Sequence, residues 1–344
     1  MREDPGLDVG TIAACLHAHY GLPVASVEFL PIGHDLSAAV YEVVSLSGTS
    51  HFLKIRLGPV HEPGLLVPSA LIERGVPNIL APLRTRSGAP WCPLDGCAGY
   101  SVTLFPFIRG ETANVAGLTD QGWRQFGSTL RAVHDSGLDE GFRCLLRVET
   151  FGLPSAAKVR RLLALLDGAR FESPAAARLV AFWLENAARI RQLLARAEEL
   201  GSRLQSRSFR NVLCHGDIHA TNILVGEDGR IFLVDWDGPP DPLIAPRERD
   251  LLFVVGSRIG RPVQPREEDL FFEGYGPVAI DPTALVYYRY ERIVEDIGEF
   301  GASVFLDPNP DEEARAGEAD LAMRFFDPGG AVEVAETVSI RWAA

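Results

Sequence analysis

The chain has 344 residues, of which 47% are hydrophobic, 23% charged and 9% aromatic. That composition excludes disorder over most of its length and is sufficient for two compact domains without disulfide or metal staples. Its 33 basic and 46 acidic residues give a net charge of -13, which repels nucleic acid on average and attracts a small cation. Five scattered cysteines do not make the paired framework of a small secreted domain, and Cys92 and Cys97 read as loop cysteines. No stretch approaches the ~20 apolar residues of a membrane span. The segment after Met1 has no apolar core of signal-peptide type, so a cytoplasmic protein is expected.

In chain order, alternating apolar residues from Val27 to Ile55 predict antiparallel strands around turns at Gly33 and at Ser47 to Ser50. A helix is expected from Glu62 to Gly75, then strand-like runs at Ile79 to Leu83 and Tyr100 to Phe105. After Pro106 and Gly110 the pattern turns helical, at Asp120 to Asp135, Ser155 to Leu166 and Pro174 to Leu204. Two short apolar runs, Asn222 to Val225 and Ile231 to Val234, are joined by Gly226 to Gly229 in the form of a hairpin. A proline-rich segment and a helix from Pro282 to Phe300 follow. The expectation is an α+β chain: an N-terminal lobe over residues 1–104 with an antiparallel sheet and one helix, a hinge at 105–110, and a larger, mainly helical lobe over 111–344.

The informative run is Leu213-Cys214-His215-Gly216-Asp217-Ile218-His219-Ala220-Thr221-Asn222, followed by Val234-Asp235-Trp236-Asp237. An aspartate, an asparagine five positions on and an aspartate after the next strand make the acid and metal layout of a kinase catalytic loop. Asp217 suits the acceptance of a proton from an attacking hydroxyl, and Asn222 and Asp235 are hard oxygen donors for Mg²⁺. Phosphates also need a cation. The 33 basic residues include two lysines, Lys54 and Lys158, so lysine on the strand Phe52 to Ile55 signals a chemical requirement. Glu62 or Glu73, both on the following helix, is its expected partner.

The run HGDIHATN, the later DWD and PRERDL resemble the aminoglycoside phosphotransferase family, which has a protein-kinase-like bilobed fold. The resemblance spans Pro31-Ile32-Gly33-His34-Asp35, Phe52-Leu53-Lys54 and Tyr287-Tyr288-Arg289-Tyr290-Glu291-Arg292. It implies Asp217 as catalytic base, Asn222 and Asp235 as magnesium ligands, Lys54 as phosphate contact and His215 as a structural residue. It further implies transfer of the γ-phosphoryl of ATP or GTP to a hydroxyl of an antibiotic, spectinomycin or a related aminocyclitol, or otherwise of another antibiotic or a metabolic amino alcohol. Gly33 and Ser37 bound the expected phosphate loop. At the hinge, Phe107 or Ile108 must donate to adenine, since Pro106 has no N–H.

Rival readings are a metal-dependent hydrolase built on His215, Asp217, His219, Asp235 and Asp237, and a kinase-like binding module without catalysis. Gly274-Tyr275-Gly276 reads as a surface turn, Asp250 as a buried loop carboxylate, and Glu312 with Glu313 as exposed loop. Glu291, Glu295 and Glu299 share one helix face with Asp296 beside them, either as a solvated acidic face or as recognition of a cationic substrate. Glu295 and Asp296 are the expected contacts for such a substrate, with Trp236, Tyr287 and Tyr288 adding apolar or cation–π contact.

Overall fold

The computed structural model describes residues 4–33, 37–166, 168, 171–238, 242–259, 261–307 and 311–337. Helix α1 (Val9–Tyr20) leads into strands β1 (Val24–Leu30), β2 (Ala38–Ser45) and β3 (Ser50–Leu57), then α2 (Glu62–Glu73), β4 (Cys92–Pro93), β5 (Tyr100–Pro106) and β6 (Gly110–Thr112). Helices α3 (Ala113–Ala116), α4 (Asp120–His134) and α5 (Asp139–Phe142), strand β7 (Arg147–Val148), and helices α6 (Ala156–Leu165), α7 (Pro174–Glu185) and α8 (Ala187–Gln205) follow. Then come β8 (Asn211–Cys214), β9 (Ile223–Gly226), β10 (Ile231–Leu233) and β11 (Leu243–Pro246), and helices α9 (Glu248–Leu251), α10 (Pro265–Tyr275), α11 (Pro282–Leu306), α12 (Glu312–Arg324) and α13 (Ala331–Thr337). An antiparallel sheet in the N-terminal region and a mostly helical remainder match the expected α+β class. Among the described residues no helix is long and apolar enough to cross a membrane.

The N-terminal sheet has the order β1-β2-β3-β5-β4 and is antiparallel throughout. Strand alternation sorts β3: Leu53 and Ile55 are buried in a core with Tyr41, Val43, Val102 and Leu104, so Lys54 and Arg56 point to the other face. That core also takes Ile12, Cys15 and Leu16 of α1, a helix missing from the sequence expectation of one helix in this region. Its signals are a cap at each end. The Asp8 carboxylate accepts the Thr11 N–H at 2.7 Å, and Gly21 closes the helix in a left-handed conformation.

Contacts divide the chain into two compact units, the first of residues 1–147, 212–244 and 270–276, the second of 148–211, 245–269 and 277–344. The break expected at 105–110 therefore falls inside the first unit. Backbone pairing explains this: β6, just past that segment, pairs with β9, and β9 with β10. Leu233 of β10 in turn exchanges hydrogen bonds with the strand-like run, donating to Asn78 and accepting from Leu80. Ile79 makes only an isolated bridge there, so that run is extended chain and not a sheet strand. The single helix expected from Pro174 to Leu204 is broken at Asn186, which ends α7 and precedes α8. Glu312 and Glu313, expected in a loop, form the first turn of α12, and Gly274 and Tyr275 end α10 with Tyr275 buried.

In the second unit α11 packs on α6, α7, α8, α9, α12 and α13. Its anchor is Arg249 of α9, wholly buried, which donates to Glu291 at 2.9 Å and Glu295 at 3.4 Å and lies over the Tyr288 ring. Burial pushes the guanidinium's pKa down, but the two glutamates outweigh it and hold it above the ordinary arginine value. Removing a buried partner leaves uncompensated charge, a loss of about 3–5 kcal/mol. Arg249→Met is therefore expected to lower unfolding stability by about that amount in urea titration, and a change under about 1 kcal/mol would show that water already screens the pair.

Candidate active site

The first unit assembles the phosphate-type chemistry from β3, the β8–β9 loop and the segment after β10. His215 follows β8 and is buried. Its Nε2 lies 3.0 Å from the Val234 carbonyl, which can only accept, and the Asp217 N–H points at Nδ1 from 3.3 Å. The ring is thus a neutral Nε2–H tautomer that ties the loop to the end of β10. Gly216 takes φ +86°, a conformation that L side chains rarely adopt, and this turns Asp217 out of the strand line.

Asp217 is then gripped by its neighbours. Asn222 Nδ2 donates to the Asp217 carbonyl at 2.8 Å and reaches Oδ2 at 3.4 Å. His219 Nε2 stands 3.3 Å from the same Oδ2, and its Nδ1 accepts from Thr221. With Nδ2 of Asn222 spent on the loop, its Oδ1 is the atom left for a hard cation. The Asn222 carbonyl accepts the Val234 N–H at 3.0 Å, which sets Asn222 beside the strand end that precedes Asp235.

Asp235 has φ +59°, an uncommon conformation for a residue other than glycine and one that aspartate tolerates better than most. Its Oδ1 is 3.2 Å from Lys54 Nζ, and Asp237 Oδ1 is 3.0 Å from the same nitrogen. Arg56, two residues along β3 on the same face, donates to the Asp237 carbonyl at 3.3 Å and to Ser37 Oγ at 3.2 Å. Burial alone would lower the Lys54 pKa, but the two aspartates raise it above the ordinary lysine value. Lys54 is therefore a fixed cation. Gly64 of α2 allows this arrangement, because a Cβ there would meet the Trp236 carbonyl at 2.5 Å.

Several expectations need correction. Neither helix glutamate holds Lys54: Glu62 accepts the Trp91 indole N–H at 3.2 Å, and Glu73 lies 3.7 Å from Arg84. The Asp235–Trp236–Asp237 segment lies closer and supplies both carboxylates. Trp236, expected at a substrate, is buried, donates to the Leu233 carbonyl and packs 4.3 Å from the His215 ring. The acidic face of α11 is not free. Glu295 pairs with Arg249, Asp296 with Arg292 at 2.9 Å, and Glu299 with Lys158, so Glu295 and Asp296 are framework charges of the second unit. Tyr287 and Tyr288 are fully buried. The hydrolase reading fails because both ring nitrogens of His215 are engaged and Nδ1 of His219 is occupied by Thr221.

Other expected positions are placed without contradiction. Phe107 and Ile108 follow β5, half-buried, and neither N–H bonds to another described residue. Gly33 is exposed with φ +92°, and residues 34–36 of the expected phosphate loop lie outside the described residues. Asp250 is buried, as expected. Asp237 was missed as a partner of Lys54, and so was Arg56 as the second cation on that aspartate, although Arg56 stands at the i+2 position that shares the strand face of Lys54.

A family model described as "phosphotransferase enzyme family" matches residues 28–286. A crystal structure of spectinomycin phosphotransferase APH(9)-Ia with ADP and spectinomycin is 31% identical, with 96% of this chain and 98% of that one covered and a TM-score of 0.85. An amicoumacin kinase bound to AMP-PNP and Ca²⁺ is 16% identical over 94% of this chain and 95% of that one, at a TM-score of 0.61. Choline kinase LicA from Streptococcus pneumoniae is 15% identical over 91% and 98%, at 0.55. The last two share the fold. Among curated proteins none matches. With three-quarters of its length inside the family model and its sheet, catalytic-type loop and following aspartates in kinase-like order, the chain belongs to the phosphotransferase enzyme family, whose members act as kinases on hydroxyl groups.

Proposed function

We propose that this phosphotransferase moves the γ-phosphoryl group of ATP or GTP to a hydroxyl of spectinomycin or a related aminocyclitol, which inactivates the antibiotic. The observation that carries the reading is the 31% identity over 96% of the chain to a spectinomycin phosphotransferase. The net charge of -13 favours a cationic acceptor.

In this reading the acceptor O–H donates its proton to the Asp217 carboxylate as the oxygen attacks the γ-phosphorus and the bond to the β–γ bridging oxygen breaks. His219 and Asn222 aim that carboxylate, and His215 fixes the loop that carries it. Lys54 supplies a cation for the α- and β-phosphates, held until then by Asp235 and Asp237. Gly33 and Ser37 flank the phosphate segment, with the Ser37 hydroxyl steadied by Arg56, and Phe107 or Ile108 offers an N–H to the base. The donor set fits Mg²⁺: the Asn222 amide oxygen and the half-exposed Asp235 carboxylate are hard oxygen ligands. Bound there, the ion would neutralise phosphate charge.

The test is nucleotide consumption by the purified chain against a panel of hydroxylated amines that includes spectinomycin, other aminocyclitols, aminoglycosides and choline-type amino alcohols. Phosphorylation of spectinomycin, read by mass spectrometry of the product, is expected. Turnover confined to amino alcohols would replace this reading with a metabolic one. Asp217→Asn is expected to lower kcat by about 10²–10⁴ while nucleotide still binds, and near wild-type turnover would remove Asp217 as base. Lys54→Arg replaces a compact point charge by a planar fork. Loss of one charge-assisted hydrogen bond, about 1.5–3 kcal/mol, should cut turnover about 10- to 150-fold with a smaller loss of nucleotide affinity. Unchanged kinetics would make Lys54 a framework ion.

A further inference from the structure

Away from the Lys54 cluster, the first unit brings together three side chains of metal-ligand type that the phosphoryl-transfer reading leaves unused. Cys15 and His19 lie four residues apart and so on one face of α1. Strand β4 carries Cys92 against that face. Cys15 Sγ and Cys92 Sγ are 3.8 Å apart and both residues are buried. The His19 ring and the two sulfurs offer ligand atoms that all lie within 4.8 Å of one another.

The sulfur separation, that of the S–H···S contact between the two thiols, also fits a shared metal ion. Two thiolates on a tetrahedral zinc, each with a bond of about 2.3 Å, stand about 3.8 Å apart. A disulfide needs about 2.05 Å, so the observed spacing suits a shared cation without movement and a covalent bond only with rearrangement. The histidine carries a second mark. His19 Nε2 is 3.0 Å from Asp95 Oδ2, and a carboxylate on the outer nitrogen is the usual orienting partner of a metal-bound imidazole. With Nε2–H given to Asp95, the lone pair left for a metal is on Nδ1.

We propose that Cys15, Cys92 and His19 form a zinc site that ties α1 to β4, with Asp95 orienting His19 and water completing the tetrahedron on the exposed side of the imidazole. The site is independent of the phosphoryl-transfer chemistry. It adds a cross-link to the core that supports the face of β3 opposite Lys54.

The full chain, reconstituted with Zn²⁺ under reducing conditions and desalted, should retain about one zinc per chain by elemental analysis, and Co²⁺ in its place should show thiolate-to-metal charge-transfer absorption. Cys92→Ser should lose both signals. His19→Ala and Asp95→Asn alter partly exposed side chains and keep the test decisive if the cysteine variant does not fold. His19→Ala should abolish stoichiometric retention, and Asp95→Asn should weaken zinc affinity about 10- to 100-fold in competition with a chromophoric chelator. Cys144→Ser, at an exposed thiol, should change nothing. Substoichiometric zinc in the folded wild type, retention that survives His19→Ala, or a Cys15–Cys92 disulfide found by mass spectrometry of the untreated protein would each overturn the proposal.

Discussion

Lys54 stands 3.2 Å from Asp235 and 3.0 Å from Asp237 with 12% of its side chain open to water, and much of the first unit is arranged to make that possible. An ammonium removed from water is costly unless paired and hydrogen-bonded. Here each carboxylate is itself placed by a local device. Asp235 needs a left-handed backbone after Val234, and Asp237 is held by Arg56 through its carbonyl. The pairing also requires α2 to come within van der Waals contact of the Trp236–Asp237 backbone, which Gly64 permits. A larger residue at 64 would displace the backbone from which both aspartates hang. The ion cluster is thus a consequence of backbone geometry set on three elements at once.

The loop between β8 and β9 obeys a similar logic on the anionic side. In the proposed reaction the Asp217 carboxylate must be oriented without being neutralised. Asp217 receives weak, long contacts on Oδ2 from His219 and Asn222, whereas its carbonyl takes the short bond at 2.8 Å. The strong interactions therefore fix the backbone and leave the carboxylate poised. His215 links this loop to Val234, one residue before Asp235, so the positions of Asp217 and Asp235 are set by one buried imidazole. Trp236 covers the other face of that ring, which accounts for an indole buried where the sequence invited a substrate contact.

What the sequence revealed and what it hid divide along physical lines. The hairpin of β9 and β10, the strands around Lys54 and the order of Asp217, Asn222 and Asp235 were legible because local pattern and residue chemistry coincide there. Helix α1 escaped because its apolar stripe is short and interrupted by histidines, although Asp8 and Gly21 mark both ends. The partner of Lys54 was sought in Glu62 or Glu73 because the actual pairing spans more than 180 residues, and strand spacing carries no information about which carboxylate arrives. On α11 the i,i+4 acids read as an open face. Their neutralisation by Arg249 and Lys158, from other parts of the chain, is a tertiary fact that no helical wheel contains.

The use of basic residues follows from the same physics. Arginine fills 31 of the 33 basic positions, and two of these arginines act as forks that join two fixed acceptors. Arg56 spans Ser37 and Asp237, and Arg249 spans Glu291 and Glu295. A planar guanidinium suits such joints because its donors are preset in direction. Lys54 differs in kind. In the proposed reaction its partners must change when phosphates arrive, and three donors on a rotatable ammonium can be redistributed among carboxylate and phosphate oxygens without moving the strand. A fork held by Asp235 and Asp237 would resist that exchange, since each of its directions is already committed. The persistence of lysine at this position in an arginine-rich chain is then explained by exchange of partners, and the abundance of arginine elsewhere by the absence of any need for it.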